Sequence, residues 1–232
     1  MDRPFRFVVV TGPTREWIDP VRFISNPSTG KTGHCLASEA LKRGFHEVIY
    51  IAGPVPERYQ QVEGAQNIAV ETTLEMGAAV RQQLADRTIL VMAAAPADYT
   101  PAQISASKIK KSDKEGLSLQ LKPTLDILKS IVEPARQLQG LFRVGFAAET
   151  DNLEEYAMRK LREKDLDMIC ANRVFKGETG FGENENALLI VDREGLQQWL
   201  GPGPKESLAR LLLDRIELAV MAPAGGQRPK NK

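Results

Sequence analysis

Three strand-length runs dominated by apolar and β-branched residues limit what this chain can fold into: Phe5 to Thr11, Glu47 to Ala52 (EVIYIA) and Thr88 to Ala93 (TILVMA). Continuous apolar letters of this length suit parallel strands covered on both faces rather than a half-solvated sheet. Between the first two runs, Cys35, Leu36, Ala40 and Leu41 recur at helical spacing until Gly44 stops the pattern. Strand, loop, helix and strand within the first fifty residues form a βαβ unit, whose crossover is right-handed.

The pattern continues along the chain. Ile68 to Glu71 reads as a short third strand, and Thr73 opens a helix to about Leu84 with Met76, Val80 and Leu84 on one face. Beyond Ala93, Tyr99 to Gly116 loses periodicity and reads as a long mobile loop rich in Pro, Ser and Lys, followed by a strand over Leu117 to Leu121 and a helix introduced by Pro123-Thr124. Arg143 to Ala147 and Asp167 to Ala171 are further buried strands, separated by the charged amphipathic helix Glu154 to Lys164. After the glycine-rich loop Gly177 to Asn186, the runs Ala187 to Val191 and Gln197 to Leu200 alternate around a turn and predict a terminal hairpin, closed by a helix from Lys205 to Val220. The expected fold is α/β: a Rossmann-like, doubly wound, mostly parallel sheet flanked by helices, with a C-terminal β-hairpin, as one domain over 1–222 and a disordered tail over 223–232.

Ligands of such sheets bind beyond the carboxyl ends of the strands. There the chain places Ile18 to Gly33 (IDPVRFISNPSTGKTG), an acid, an arginine, an amide, hydroxyls, a lysine and two glycines in one loop ahead of a helix. A helix start offers unpaired N–H groups and the positive end of the dipole, so Ser28, Thr29 and Gly30 are placed to receive an anion, with phosphate the natural candidate. Gly30-Lys31-Thr32 ends like a Walker A loop, but Ser25 stands where that motif needs glycine, and eighteen residues separate Thr11 from Gly30. The dinucleotide fingerprint is also missing, since Gly12 has no second glycine in register, which weakens an NAD(P)-type Rossmann oxidoreductase.

Charge and composition exclude other classes. A formal net charge of +1, without long blocks of one sign, argues against nucleic-acid and membrane surfaces and for small-molecule partners. Cys35 and Cys170 sit in apolar patterns, as small buried hydrophobes rather than nucleophiles or halves of a disulfide. His34 and His46 have no acid or nucleophile in register, and no Cys/His metal cluster is visible. Without a signal-like start or a bilayer-length apolar run, a cytoplasmic location is expected.

The run from Thr11 through Thr14-Arg15-Glu16, Ile18-Asp19-Pro20-Val21-Arg22-Phe23-Ile24-Ser25-Asn26 and Ser28-Thr29-Gly30-Lys31 to Gly33 resembles the first loop of phosphopantothenate–cysteine ligases. The resemblance continues, in order, through Ala94-Ala95-Pro96-Ala97-Asp98-Tyr99, Lys108-Ile109-Lys110-Lys111, Gly145-Phe146-Ala147-Ala148-Glu149-Thr150 and Cys170-Ala171-Asn172. Two departures stand out: the stretch Thr11-Gly12-Pro13-Thr14 is one residue shorter than the family's usual T-A-G-[GP]-T, and Arg173 replaces the usual Asp.

The resemblance implies a ligase that joins 4′-phosphopantothenate and cysteine through an acyl nucleotide, with CTP or ATP as co-substrate and Mg²⁺ screening the triphosphate. It implies Asn26 at the carboxylate and acyl intermediate, Ser28 and nearby backbone with Arg22 at the pantothenate phosphate, and Lys108, on a flexible lid, at the nucleotide phosphates. Asp98 with Ala94 and Ala95, and Gly145 with Phe146, would line the nucleotide and base pocket. It implies a homodimer, for which the edge of the terminal hairpin is a candidate surface, and a separate decarboxylase for the next step; the first loop is long enough for Arg22 to be expected to reach the neighbouring chain and complete its phosphate site. A non-catalytic nucleotide-binding module is the rival reading.

Overall fold

The computed structural model describes residues 5–45, 47–111, 116–173 and 185–221. The chain runs through β1 (Arg6–Thr11), the short strands β2 (Glu16–Trp17) and β3 (Phe23–Ile24), α1 (Lys31–Lys42), β4 (Val48–Ala52), β5 (Gln66–Ala69), α2 (Thr73–Gln82) and β6 (Thr88–Met92). It continues with β7 (Tyr99–Pro101), β8 (Leu121–Pro123), the one-turn helices α3 (Ile127–Ser130) and α4 (Val132–Arg136), β9 (Phe142–Glu149), α5 (Leu153–Glu163) and β10 (Met168–Arg173). The hairpin β11 (Asn186–Asp192) and β12 (Gln197–Gly203) then leads into α6 (Lys205–Met221).

Eight strands form the central sheet in the order β12-β11-β10-β9-β6-β1-β4-β5. The six from β10 to β5 are mutually parallel, and β11 and β12 extend the β10 edge in antiparallel fashion. From the central β1, the chain moves outward through β4 and β5 and then crosses to β6 on the other side, so the winding reverses between β1 and β6. The crevice at such a reversal is where doubly wound sheets hold ligands.

Strand pleating distributes the core. Phe7 and Val9 join Leu36 of α1 and Leu212 and Ile216 of α6 on one face, while Val8 and Val10 join Met76 and Val80 of α2 and Ala157 and Leu161 of α5 on the other. Phe7 through Val10 have no exposed surface, which is why the strand reads as an unbroken apolar run. Each such side chain contributes about 1.5–3 kcal/mol of burial.

Three expected elements differ. The third strand lies two residues earlier than Ile68 to Glu71, because Gln66 and Asn67 pair with Ile49 and Tyr50 at the sheet edge, where polar side chains stay solvated. Tyr99 to Pro101, expected within a loop, forms β7 and pairs with Leu121 to Pro123, so the strand expected at Leu117 to Leu121 is displaced to its last residue. The alternating Leu117, Leu119 and Leu121 are 56%, 39% and 42% exposed, an apolar set left open among the described residues. The helix expected at Pro123-Thr124 starts at Ile127 instead, capped by Asp126, because Thr124 donates its amide to Asp98 O and its hydroxyl to Ala97 O. The expectations for His46, most of the 177–186 loop and the 223–232 tail fall outside the described residues.

Candidate functional site

At the carboxyl end of β1 the chain turns through Gly12 and re-enters α1 at Gly30, both with positive φ (81° and 75°). A Cβ on either glycine would come within 2.5 or 2.6 Å of Val55 Cγ1, so both the backbone conformation and the space require glycine. Thr11 Oγ1 donates to Gly30 O at 2.9 Å, and a Cβ on Gly33 would approach Thr11 Oγ1 to 2.4 Å, so the first turn of α1 lies directly on the end of β1. Gly30 supplies no capping side chain, and the first helical bond runs from His34 N to Gly30 O. The N–H groups of Lys31, Thr32 and Gly33 therefore stand at the positive end of a twelve-residue helix with no acid in its first turn.

These residues form one wall of a cleft of about 450 Å³ at the ends of β1, β6, β9 and β10. Asn26, Ser28, Thr29, Gly30, Ala94 and Ala95, six of the residues singled out in the sequence, line it together. Asp98 and Phe146 line it too, and both also border an annex of about 170 Å³ toward α3. Asn26 Nδ2 donates to the carbonyls of Ala95 (3.2 Å) and Pro96 (2.9 Å). Since carbonyl oxygens accept only from the amide nitrogen, these partners fix the orientation of the carboxamide. Both N–H groups are thus engaged within the protein, and Asn26 clasps the first loop to the end of β6.

Beneath the loop lies a buried polar chain. Thr73 donates its amide (2.9 Å) and its hydroxyl (2.8 Å) to Glu16 Oε1. With that proton committed, Thr73 accepts from Thr14 Oγ1 at 2.9 Å, and Thr14 in turn accepts from Ala97 N at 2.9 Å. The loops after β1 and β6 and the start of α2 are held together by this chain.

Three predicted residues do not line this cleft in their own chain. Gly145 faces away from the cleft: a Cβ there would meet Leu166 Cδ1 at 2.5 Å, so its missing side chain makes room for the core rather than for a base. Arg22 does not line the cleft of its own chain; its Nε (3.0 Å) and Nη2 bind Asp19 Oδ2, and Nη2 also donates to Ile109 O at 2.8 Å. The carboxyl of Asp19, held first by that guanidinium and then by backbone N–H groups, stays well below the usual carboxylate range. Lys108 is exposed and outside the lining, with its neighbour Ile109 bonded to Asp19.

Of the other cationic groups, Lys31 belongs to the loop noted in the sequence, whereas Lys160, Lys164 and Lys205 carried no signal there as site residues. Lys31, Lys160, Lys164 and Lys205 line the cleft against the carboxylates of Asp98 and Glu149, which makes the site net cationic. Lys160 is paired with Glu149, Lys164 with Asp126 at 3.3 Å and Lys31 with Glu206 at 3.2 Å. Asn172 and Asn186, at the ends of β10 and β11, close the far side. An acidic ligand entering here exchanges these intramolecular partners for its own oxygens.

Covalent chemistry finds little support. Burial raises the Cys35 thiol to about 11, and it raises that of fully buried Cys170 further, so both stay protonated at neutral pH. His34, beside Tyr59 at 5.3 Å and Tyr50 at 6.1 Å, is pushed toward its neutral form by desolvation. Among the described residues no group of three or more His, Cys, Asp or Glu could hold a metal, and no helix is long and apolar enough to cross a membrane.

Comparison with known proteins gives the architecture a family. The chain is 40% identical over 212 residues to the coenzyme A biosynthesis bifunctional protein CoaBC of Vibrio cholerae, an alignment covering 91% of this chain and 52% of that protein. The identity to CoaBC of Bacillus subtilis is also 40%, over 222 residues, covering 95% and 52%. The chain thus spans about half the length of the curated relatives it matches. A crystal structure of the C-terminal domain of CoaBC superposes with a TM-score of 0.77 at 33% identity, covering 95% of this chain and 98% of that one. The family described as the DNA/pantothenate metabolism flavoprotein C-terminal domain matches residues 4–219, and this chain belongs to it.

Proposed function

We propose that this chain is a phosphopantothenate–cysteine ligase. The observation that carries the reading is the cleft at the β1/β6 reversal, lined by a helix N-terminus, four lysines and amides against two carboxylates and, among the described residues, by no cysteine or histidine. Such equipment holds and neutralises anions, and a ligase that activates a carboxylate with a nucleotide needs little else. The names of the CoaBC relatives support placing it in coenzyme A biosynthesis.

In this reading the carboxylate of 4′-phosphopantothenate attacks the α-phosphorus of a nucleoside triphosphate, forming the acyl nucleotide and expelling pyrophosphate. The amine of cysteine then attacks the acyl carbon, losing a proton, and the nucleoside monophosphate leaves, giving 4′-phosphopantothenoylcysteine. Ser28, Thr29 and the first N–H groups of α1 hold a phosphate; Lys160, Lys164 and Lys108 meet the charge that moves along the triphosphate. Asn26 keeps the two loops in register around the reacting carboxyl. Asp98 and Glu149 are the carboxylates of the cleft that would face a Mg²⁺ ion bound with the triphosphate, which would supply charge neutralisation at the phosphates. The annex beside Phe146 is a candidate seat for the base, and CTP is the first triphosphate to test, with ATP the alternative.

We further propose a homodimer. The β12 edge is blunted by Pro202, which has no N–H to offer. Exposed apolar side chains are also found on the arm built from β2, β3, β7 and β8 and its turns, where Val21, Tyr99, Ile104 and Leu117 are more than half exposed, while β12 itself exposes Trp199. The decarboxylation that follows is assigned to a protein or segment outside these 232 residues.

A pyrophosphate-release assay with 4′-phosphopantothenate, cysteine and each triphosphate tests the reading. Stoichiometric release without cysteine, continuous release with it, and faster release from CTP are expected. Binding of nucleotide without release from any triphosphate would make the chain a binding module.

A further inference from the structure

Two acids of the first loop, Glu16 and Asp19, are buried and have no part in the chemistry above. Glu16 belongs to the Thr14–Thr73 chain. Asp19 has a different set of partners. Its Oδ1 accepts from Val21 N (2.8 Å) and Arg22 N (2.9 Å), which closes the turn between β2 and β3. Its Oδ2 accepts from Arg22 Nε and Nη2 and, across 90 residues of sequence, from Ile109 N at 3.1 Å. Arg22 Nη2 reaches on to Ile109 O at 2.8 Å, so both backbone polar groups of Ile109 are bound to the Asp19–Arg22 pair. Four residues earlier, Ser105 N donates to Ile18 O at 3.0 Å. The segment 105–109 is therefore docked on the first loop at both ends, and the composition that reads as a mobile loop is held in place up to the residue after Lys108.

We propose that Asp19 is a positioning residue for the nucleotide step: its buried carboxylate fixes the backbone carrying Lys108 to the loop carrying Asn26 and Ser28, so that the lysine and the anion site move as one unit. The proposal rests on the reading of Lys108 as a contact of the nucleotide phosphates. A flexible lysine loses less of its effect on a transferring phosphoryl group when its backbone is already placed. The charge of Asp19 is essential to this role, because all five of its hydrogen bonds come from N–H donors, two on Oδ1 and three on Oδ2, and an amide nitrogen in place of either oxygen would face donors it cannot accept from.

The test is a double-mutant cycle between Asp19→Asn and Lys108→Gln, read as kcat and as KM for the triphosphate, together with hydrogen exchange on the free protein. Asp19→Asn alone is expected to lower kcat about tenfold, to raise KM for the triphosphate, and to leave KM for cysteine unchanged. In the Lys108→Gln background the same change should cost less than about twofold, because a positioning residue has nothing left to position. Exchange should accelerate together in 105–111 and 18–26 and nowhere in the β1–β6 core. If the two substitutions multiply, or exchange rises only in the first loop, Asp19 is a local turn-former and the proposal is overturned. If Asp19→Asn does not fold, Ile109→Pro removes the single N–H that joins the segment to Oδ2 and is measured in the same cycle. Should the wild type release no pyrophosphate, the ligase reading fails, while the exchange arm still decides whether Asp19 couples the two segments.

Discussion

The carboxamide of Asn26 spends both N–H groups on the carbonyls of Ala95 and Pro96, and a carboxylate at this position would face those two oxygens with no donor between them. Asn26→Asp is therefore expected to open the clasp and lower pyrophosphate release at least about tenfold, roughly 1.4 kcal/mol of barrier. Triphosphate affinity, measured by calorimetry, should change less than the rate. His34 gives a pH dependence. The fold favours its neutral form, whereas the unfolded chain takes up a proton near the ordinary value of 6.5. Stability that is full above that pH is lost as the pH falls below it toward the folded value. Urea unfolding at about pH 7.5 and about pH 5.5 should show a smaller drop for His34→Gln than for the wild type. Ser28 is legible from its place just ahead of a helix start, whereas Asn26, Ala94 and Ala95 are picked out by the family resemblance, and the structure sets all four around one cleft. The sequence did not reveal Lys160 and Lys164. On a helix as charged as α5, nothing in the letters tells which lysines turn toward the sheet's carboxyl edge and which toward water.

At the level of elements, the inner parallel strands β1, β4 and β6 could be read directly because burial on both faces leaves their interior positions apolar. The arm could not: β2, β3, β7 and β8 are two or three residues long, too short for a period, and their pairing is set by tertiary bonds such as Thr124 to Ala97. The seating of α1 on β1 yields a further prediction. In Gly33→Ala the new methyl group meets Thr11 Cβ and Oγ1 at 2.4 Å, and neither atom can move without breaking the bond to Gly30 O. Displacement of the helix start is expected, with a loss of about 1–3 kcal/mol in urea unfolding and weaker retention of inorganic phosphate or triphosphate. An unchanged midpoint would show that the helix is not seated on the strand as described.

For the whole molecule, the alternating leucines at 117, 119 and 121 show how a correct pattern can mislead. The alternation predicts a strand, but the described residues leave its apolar side exposed. If a second copy covers that side, Ile104→Ser with Leu117→Ser should shift the protein from dimer to monomer in light scattering without altering its helix content. The partner's site would then be short of Arg22. Arg22→Ala and Asn26→Ala, each nearly inactive, should recover activity when unfolded and refolded together, since mixed dimers hold one site with both native residues. A mixture as inactive as its parents would assign Arg22 to its own chain.

The cleft draws on Thr11 at one end of the sequence and on Lys160, Asn172, Asn186 and Lys205 toward the other. During synthesis from the amino end, β1, β4, β5, β6 and β9 emerge as a set that can already pair as a parallel sheet, while the residues that complete the cationic wall are still untranslated. A chain interrupted in that interval keeps much of its sheet and gains none of the stabilisation that a bound ligand gives, which scales with occupancy of the finished site. Ligand rescue therefore discriminates between full and truncated products: supplementation with substrate protects the former from proteolysis and leaves the latter to be degraded.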